Sequence, residues 1–331
     1  MIDIDGSYGE GGGQVLRTAL ALASIIGADI SISNIRANRP NPGIKAQHLA
    51  SIETLAKMCD ANVEGLHKGS KQITYSPMEI RGIDLCIDIG TAGSITLLLQ
   101  CIMPAAIYSK ENVKLIVKGG TDVAWSPSID YLQNVTSKAL QKMKYKSNME
   151  MIDRGYYPEG GGMVKIEIEP SKIKGYDFEK LREDISGVSH CSKLPEHVAQ
   201  RQASSATDVL KKEGFDCDII TDCADYRSRG SGITLWSGFA GSISLGKKGL
   251  ASEKVGQIAA NGLLENLHSE SAVDIHLADQ LIPFLGLAEK ESLTTSQLSG
   301  HLKTNIWLTE QILDVKFEIE ESEKRFKISI E

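Results

Sequence analysis

The chain repeats itself, and the repeat limits the folds open to it. Residues 2–5 alternate apolar and polar side chains as a strand does, and the glycine-rich turn 9–13 follows. Val15, Leu16, Ala19, Leu22, Ala23 and Ile26 then keep helical spacing as far as the stop at Gly27. A short strand at Ile30 and Ile32 leads into the loop 36–43, and a helix has its face at Ile44, His48, Ile52, Leu55 and Cys59. Strands near 62–66 and 71–75 close the unit. About 80 residues later the same order returns: strand 85–89, turn 90–93, helix to Tyr108, strand 113–117, loop 119–128, helix 129–143, and strands near 148–153 and 163–169.

A third copy follows at the C-terminal end: strand 272–275, helix 276–288, strand 292–297, helix 302–313, and strands near 315–319 and 325–330. The intervening stretch differs, reading strand, helix, strand, strand, strand, helix. The expected class is therefore α/β (α+β). Residues 1–172 and 272–331 form a large domain of three repeated units, each a four-stranded sheet with two helices, and residues 173–271 form a smaller inserted α/β domain.

Charge narrows the function. Against 43 Asp and Glu stand 36 Lys and Arg, a net charge of −7, the wrong sign for a protein that coats nucleic acid non-specifically. Any nucleic-acid recognition must be local. The N-terminus lacks a signal peptide's basic and apolar regions. The uncharged stretch 89–109 holds Gly90, Thr91, Gly93, Ser94, Thr96, Gln100 and Pro104, and reads as a buried helix after a turn rather than a membrane span. The six cysteines form no CxxC pair, so reduced thiols and a cytoplasmic location are expected.

Several residues can carry chemistry. Gly9-Glu10-Gly11-Gly12-Gly13, between a strand and a helix, suits an anion, because glycines let backbone N–H groups approach it at a helix N-terminus. Glu10 either holds a divalent metal or is a solvated turn residue. A second Glu-Gly-Gly-Gly at 159–162 reads as a hairpin turn. Arg36 and Arg39, in a proline-stiffened loop opening a helix, match the oxygens of a phosphate, with Arg17 able to join them; surface salt bridges are the alternative. His48 lies on an apolar helical face, as a hydrogen-bonded core residue would. His301 occupies the loop position of the third copy that matches 39–42 in the first, and is either a nucleophile toward phosphorus or a helix-capping histidine. Asp279 and Gln280 open a helix, and Gln100 is an amide in an apolar one; a ligand is one partner for such groups.

Taken in order, 9-GEGGGQVLR-17, 35-IRANRP-40 with Pro42-Gly43 and Gln47-His48, 119-GGTD-122, 157-YPEGGG-162, 277-LADQ-280 and 301-HLKTN-305 resemble the RNA 3′-terminal phosphate cyclase family along the whole chain. The resemblance implies three repeats similar to the C-terminal domain of a translation initiation factor and to a half-repeat of enolpyruvyl transferases, with a small domain inserted before the third. It also implies that ATP adenylates a histidine, that AMP passes to an RNA 3′-phosphate end, and that the neighbouring 2′-hydroxyl closes a 2′,3′-cyclic phosphate, assisted by Mg2+ or Mn2+. The nucleophile falls on His301 and the metal contact on Glu10. The nucleotide pocket falls on Gln100, His276, Leu277, Ala278, Asp279 and Gln280, and the RNA-end ligands on Arg17, Arg36, Arg39 and Gln47. His276 departs from the family's bacterial members, where tyrosine is expected, although imidazole can also border adenine. The partners implied are ATP and RNA ends, with no membrane and no obligate protein partner. A non-catalytic ribosome-biogenesis factor on the same fold, lacking covalent AMP, and an enolpyruvyl transferase are the competing readings.

Overall fold

The computed structural model describes residues 1–181, 183–288 and 291–331. The first unit runs β1 (Ile2–Asp5), α1 (Gly13–Ile26), β2 (Ile30–Ser33), α2 (Ala46–Cys59), β3 (Asn62–Glu64), β4 (Ile73–Ser76). Its sheet has the order β1-β2-β4-β3, with β1 parallel to β2 and the remaining pairs antiparallel. The second unit repeats this with β5 (Asp84–Asp88), α3 (Ile95–Ala106), β6 (Val113–Gly119), β7 (Ser147–Asp153) and β8 (Gly162–Ile168), in the order β5-β6-β8-β7. Its second helix is broken into α4 (Ile129–Tyr131), a π-helical turn (Leu132–Thr136) and α5 (Ser137–Lys142). The alternation legible at 2–5 and 85–89 thus marks the parallel strand that enters each sheet.

Residues 185–268 form β9 (Ile185–Ser192), α6 (His197–Lys212), β10 (Cys217–Ala224), β11 (Gly230–Ser237), β12 (Ala240–Leu245) and α7 (Ser252–His268), with a sheet ordered β10-β9-β11-β12. The third unit comprises α8 (Ile275–Gly286), β13 (Ser292–Thr295), α9 (Gly300–Leu313), β14 (Phe317–Ser322) and β15 (Arg325–Ile330).

The strand expected at 272–275 is absent from the third sheet, which has three strands, β13-β15-β14, among the described residues. The amides of Ala272 and Val273 both turn onto Thr294 O at 3.1 Å. Asp274 then accepts from the amides of His276 and Leu277 at 2.8 and 2.9 Å, so the chain enters a helix where a strand would continue. The same device sets other boundaries. Ser94 Oγ caps α3 through Leu97 N, and Ser299 Oγ caps α9 through Leu302 N, which starts that helix at Gly300 rather than at Leu302.

One apolar cluster runs through all three units, joining α1 (Leu16, Leu20), α3 (Leu98, Ile102), α8 (Leu277, Leu281) and α9 (Leu302, Leu308). A second, smaller cluster lies within residues 185–264, around Ala206, Leu210, Ala259 and Leu263. Ile173 and Phe178 belong to the larger cluster, where Phe178 meets Phe239 edge-on at 5.3 Å. Helix α1 packs against α2, α3 and α9, which brings the N-termini of α1 and α9 side by side. No described helix is long and apolar enough to cross a membrane.

Candidate active site

His301 sits in the first turn of α9, and buried amides lock that turn to α1 and α8. Gln14 Nε2 donates to His301 O at 2.8 Å, Thr18 Oγ1 donates to Asn305 Oδ1 at 3.0 Å, and Asn305 Nδ2 donates to Asp279 O at 2.6 Å. Two glycine contacts then bring the Gly9–Gly13 turn onto α9. Gly9, at φ +60°, lies against Thr304 Oγ1, and Gly300 faces the Glu10 carboxylate. Glu10 Oε2 ends 3.2 Å from His301 Nδ1 and 3.6 Å from an Arg39 guanidinium nitrogen, and all three side chains are about two-fifths exposed. A methyl group on Gly300 would stand 2.6 Å from Glu10 Oε1. Gly300→Ala should therefore displace Glu10 from His301 while leaving the unfolding temperature within a few degrees of the parent, since the clash is with the movable end of a side chain. A rate of histidine modification equal to the parent's would contradict this.

Burial lowers the His301 pKa, Glu10 opposes the shift, and Arg17, Arg39 and His276 reinforce it. The imidazole is therefore neutral at neutral pH. With Nδ1–H given to Glu10, the lone pair is on Nε2, the arrangement of a nitrogen nucleophile. The N-terminus of α1 adds an anion-binding element: Gly12 caps it with no side-chain hydrogen bond, and the first turn contains no acidic residue.

The four RNA-end candidates differ in what they have free. Arg17 is half-buried and, among the described residues, no hydrogen bond engages its guanidinium; burial brings its pKa down to about 10 against the attraction of Cys101 and Asp279. Arg39 borders Glu10 and is open to solvent. Arg36 instead braces its own loop, donating from Nη1 to Asn41 O at 2.8 Å and Gly43 O at 2.9 Å. Gln47 Oε1 accepts from Ser94 N at 2.9 Å, tying α2 to the start of α3. His48 is a buried hydrogen-bonded residue, as its apolar face suggests. Its Nδ1 accepts from Lys45 N, and burial, followed by Arg17, Arg36 and Lys45, depresses its pKa to about 3.

The six nucleotide-pocket candidates divide by direction. Leu277 and Ala278 are fully buried in the core. Gln280 has its amide engaged internally, accepting from Thr136 Oγ1 at 2.9 Å and donating to His276 O at 3.0 Å. His276 is exposed, Asp279 is half-buried, and both act electrostatically on the His301–Glu10–Arg17 group. Burial, then the nearby Asp274, raises the Asp279 pKa well above the carboxylate range, while Arg17 pulls against it. Gln100 is half-buried on α3 without a hydrogen bond among the described residues.

Sequence reasoning assigned no role to Gln14 or Asn305, although an amide in an apolar helix, the signal that singled out Gln100, marks both. It placed Trp125, 97% exposed at φ +67°, in the second copy's matching loop and Tyr157, 77% exposed, in a family motif, but gave neither a role. Nor did it find the buried group Asp122, Asp130 and His190, whose potential ligand atoms lie within 4.8 Å of one another. Arg154 holds both carboxylates there, at 3.2 and 2.7 Å, so a guanidinium already supplies the positive charge that a metal ion would bring.

A profile of the RNA 3′-terminal phosphate cyclase family matches residues 8–319. The chain belongs to the RNA 3′-terminal phosphate cyclase family. Proteins named RNA 3′-terminal phosphate cyclase are 58% identical in Methanococcoides burtonii, with all of both chains covered, and 48% identical in Archaeoglobus fulgidus, covering 96% of this chain and 98% of the relative. The one from Pyrococcus furiosus is 45% identical, covering 96% of this chain and 95% of its own. Among solved structures, an EPSP synthase from Acinetobacter baumannii aligns with 99% of this chain and 46% of its own at 10% identity and TM-score 0.33, a likeness that carries no argument. Membership of the cyclase family removes the enolpyruvyl-transferase reading.

Proposed function

We propose that the chain converts RNA 3′-phosphate ends to 2′,3′-cyclic phosphates at the expense of ATP, with His301 as the nucleophile. The observation that carries this reading is an imidazole whose Nδ1 lies 3.2 Å from Glu10 Oε2, beside arginines and a helix N-terminus that no side chain caps. His301 Nε2 attacks the α-phosphorus of ATP, the bond to the bridging oxygen breaks, and pyrophosphate leaves. A 3′-phosphate oxygen of the RNA then takes the AMP from His301. The vicinal 2′-hydroxyl attacks the activated phosphorus, closing the ring as AMP departs with its electron pair. Glu10 orients the imidazole through Nδ1, and Arg39 and Arg17 hold phosphate oxygens through charge-assisted hydrogen bonds.

Glu10 would hold the metal, Mg2+ or Mn2+. A single carboxylate suits an ion that takes its other ligands from phosphates and water, and the ion supplies neutralisation of triphosphate charge. Asp279, His276 and Gln100 are the residues of the nucleotide set with polar groups free to meet ATP. Arg36, Gln47, Leu277, Ala278 and Gln280 serve by shaping the site around those groups. The reading keeps residues 173–271 as an inserted domain within a catalytic domain of 1–172 and 272–331. It places the protein in the cytoplasm, acting on RNA ends with no obligate protein partner.

The test is a short RNA ending in a 3′-phosphate, incubated with ATP and Mg2+ or Mn2+. The end should become resistant to phosphatase while one AMP and one pyrophosphate appear per end; unchanged ends with folded protein would favour the non-catalytic RNA-binding reading. Arg17→Gln should raise the KM for the phosphorylated end by about 10- to 100-fold, the scale of one or two lost charged hydrogen bonds. Comparing RNAs with 3′-phosphate and 3′-hydroxyl ends by binding checks this, because the preference for the phosphate should collapse in the variant.

A further inference from the structure

The small inserted sheet carries a pair of thiols that cyclisation does not use. Cys191 on β9 and Cys223 on β10 are direct register partners on parallel strands, so their side chains leave the same face of the sheet. Their sulfurs lie 3.3 Å apart. Cys191 is almost fully buried beneath the turn into α6, its Sγ 3.8 Å from the carbonyls of Leu194 and Pro195, and Cys223 is partly exposed. The neighbouring register pair, His190 and Asp222, points to the opposite face, where it meets Asp122 and Arg154 of the second unit.

We propose that Cys191 and Cys223 are a reversible dithiol–disulfide pair that cross-links β9 to β10 when the protein meets a low-molecular-weight disulfide such as oxidised glutathione. Neighbouring strands run about 4.7–4.9 Å apart, inside the Cα separation of about 4.4–6.8 Å that a disulfide accepts but at its short end. The bond can therefore form with side-chain rotation alone, and its tight geometry keeps it reducible. Cys223, the accessible partner, enters first. Its thiolate attacks one sulfur of oxidised glutathione, releasing a glutathione thiolate and leaving a mixed disulfide. Cys191 then attacks the Cys223 sulfur and expels the second glutathione. The two protein thiols lose two protons and two electrons in all, and two glutathione thiols carry both away.

Burial, together with Cys191, Glu196 and Asp222, pushes the Cys223 thiol up to about 12. The attacking thiolate is therefore scarce, and the pair is slow to react at neutral pH. Once formed, the cross-link encloses α6 in a covalent loop and fixes Asp222 beside His190, on the strands that anchor the inserted sheet to Arg154.

The full-length protein is incubated with oxidised glutathione, denatured, alkylated and mapped by mass spectrometry. The expected species takes up two alkyl groups fewer than the reduced chain, with the Cys191 peptide joined to the Cys223 peptide, and the difference disappears when dithiothreitol precedes alkylation. Cys191→Ser should stop at glutathione on Cys223, and Cys223→Ser should give no cross-link. The oxidised protein should unfold at a higher temperature than the reduced one. The proposal is overturned if Cys191 and Cys223 both remain alkylatable while other cysteines take glutathione, or if all six thiols survive in folded protein under conditions that oxidise the unfolded chain. None of these readouts depends on cyclase activity.

Discussion

His301→Ala should form no adduct when the protein is incubated with α-labelled ATP and Mg2+ or Mn2+, whereas the parent chain should carry an acid-labile, alkali-stable label on a denaturing gel. Cyclisation should fall by about 10⁴-fold or more, the scale on which loss of a covalent nucleophile acts. The geometry makes the loss specific. His301 is held through its backbone by Gln14 and its helix is capped by Ser299, so removing the imidazole leaves those contacts standing and the fold should persist. Glu10→Gln separates orientation from nucleophilicity: the amide can still accept from Nδ1 through its oxygen, but it loses the charge that steadies the imidazole and holds the metal. Labelling should survive, slowed by about 10²-fold, which lies within the range of a misplaced reacting group. The pH profile adds a check. Burial and the surrounding cations lower the His301 pKa, so the adenylation rate should hold steady as pH falls through about 6.5, the ordinary imidazole value, and decline only below it. A label retained by His301→Ala would move the nucleophile elsewhere.

What the sequence could and could not reveal follows from how far apart the deciding groups lie. Strands 2–5 and 84–88 and helices α1 and α2 are encoded by local period, and the family signature led directly to His301, Glu10 and Arg39, which the structure brings together. The direction of α8 was hidden. Whether Leu277, Ala278 and Gln280 face a ligand or the core depends on Asp274 starting the helix and on Thr136, 144 positions from Gln280, taking up its amide. The bracing role of Arg36 was equally hidden, because it rests on a left-handed backbone at φ +55° that folds its guanidinium onto its own loop. The third unit lost its entering strand because a capping aspartate outweighs a short apolar alternation. Arg154 gave no signal at all: its three carboxylate partners are 24, 32 and 68 positions away, on a helix, in the loop after β6 and on β10 of another sheet.

Arg154→Ala is expected to be the most damaging substitution outside the active site, costing about 3–5 kcal/mol, the usual result of removing one partner from a buried ion cluster. Arg154 is 2% exposed and reaches Asp130 at 2.7 and 3.1 Å, Asp122 at 3.2 Å and Asp222 at 2.7 Å. Asp222 lies on β10, and Asp122 and Asp130 belong to the second unit, so one guanidinium joins two parts of the structure, that unit and the sheet of β9–β12. Its removal leaves carboxylates in the interior without their main counter-charge. Lysine should restore only part of the loss, since a point charge cannot serve three carboxylates from a fixed fork. The pH dependence identifies the cause. Burial pushes the Asp122 pKa up, but the nearby His190 and Arg154, with a hydrogen bond from Thr121, outweigh it and hold the group below the usual carboxylate range. A depressed folded pKa contributes stability that is complete above the unfolded value of about 3.9 and is lost as pH falls below it. In Arg154→Ala only His190 and Thr121 remain to oppose the burial penalty, so the stability that charged Asp122 contributes shrinks. The gap between parent and variant in denaturant unfolding should be widest near neutrality and narrow as the medium is acidified below about pH 4. A constant gap across that range would mean that the guanidinium acts through packing alone, and a gap under about 1 kcal/mol at neutral pH would remove the cluster from any role in holding the two parts together.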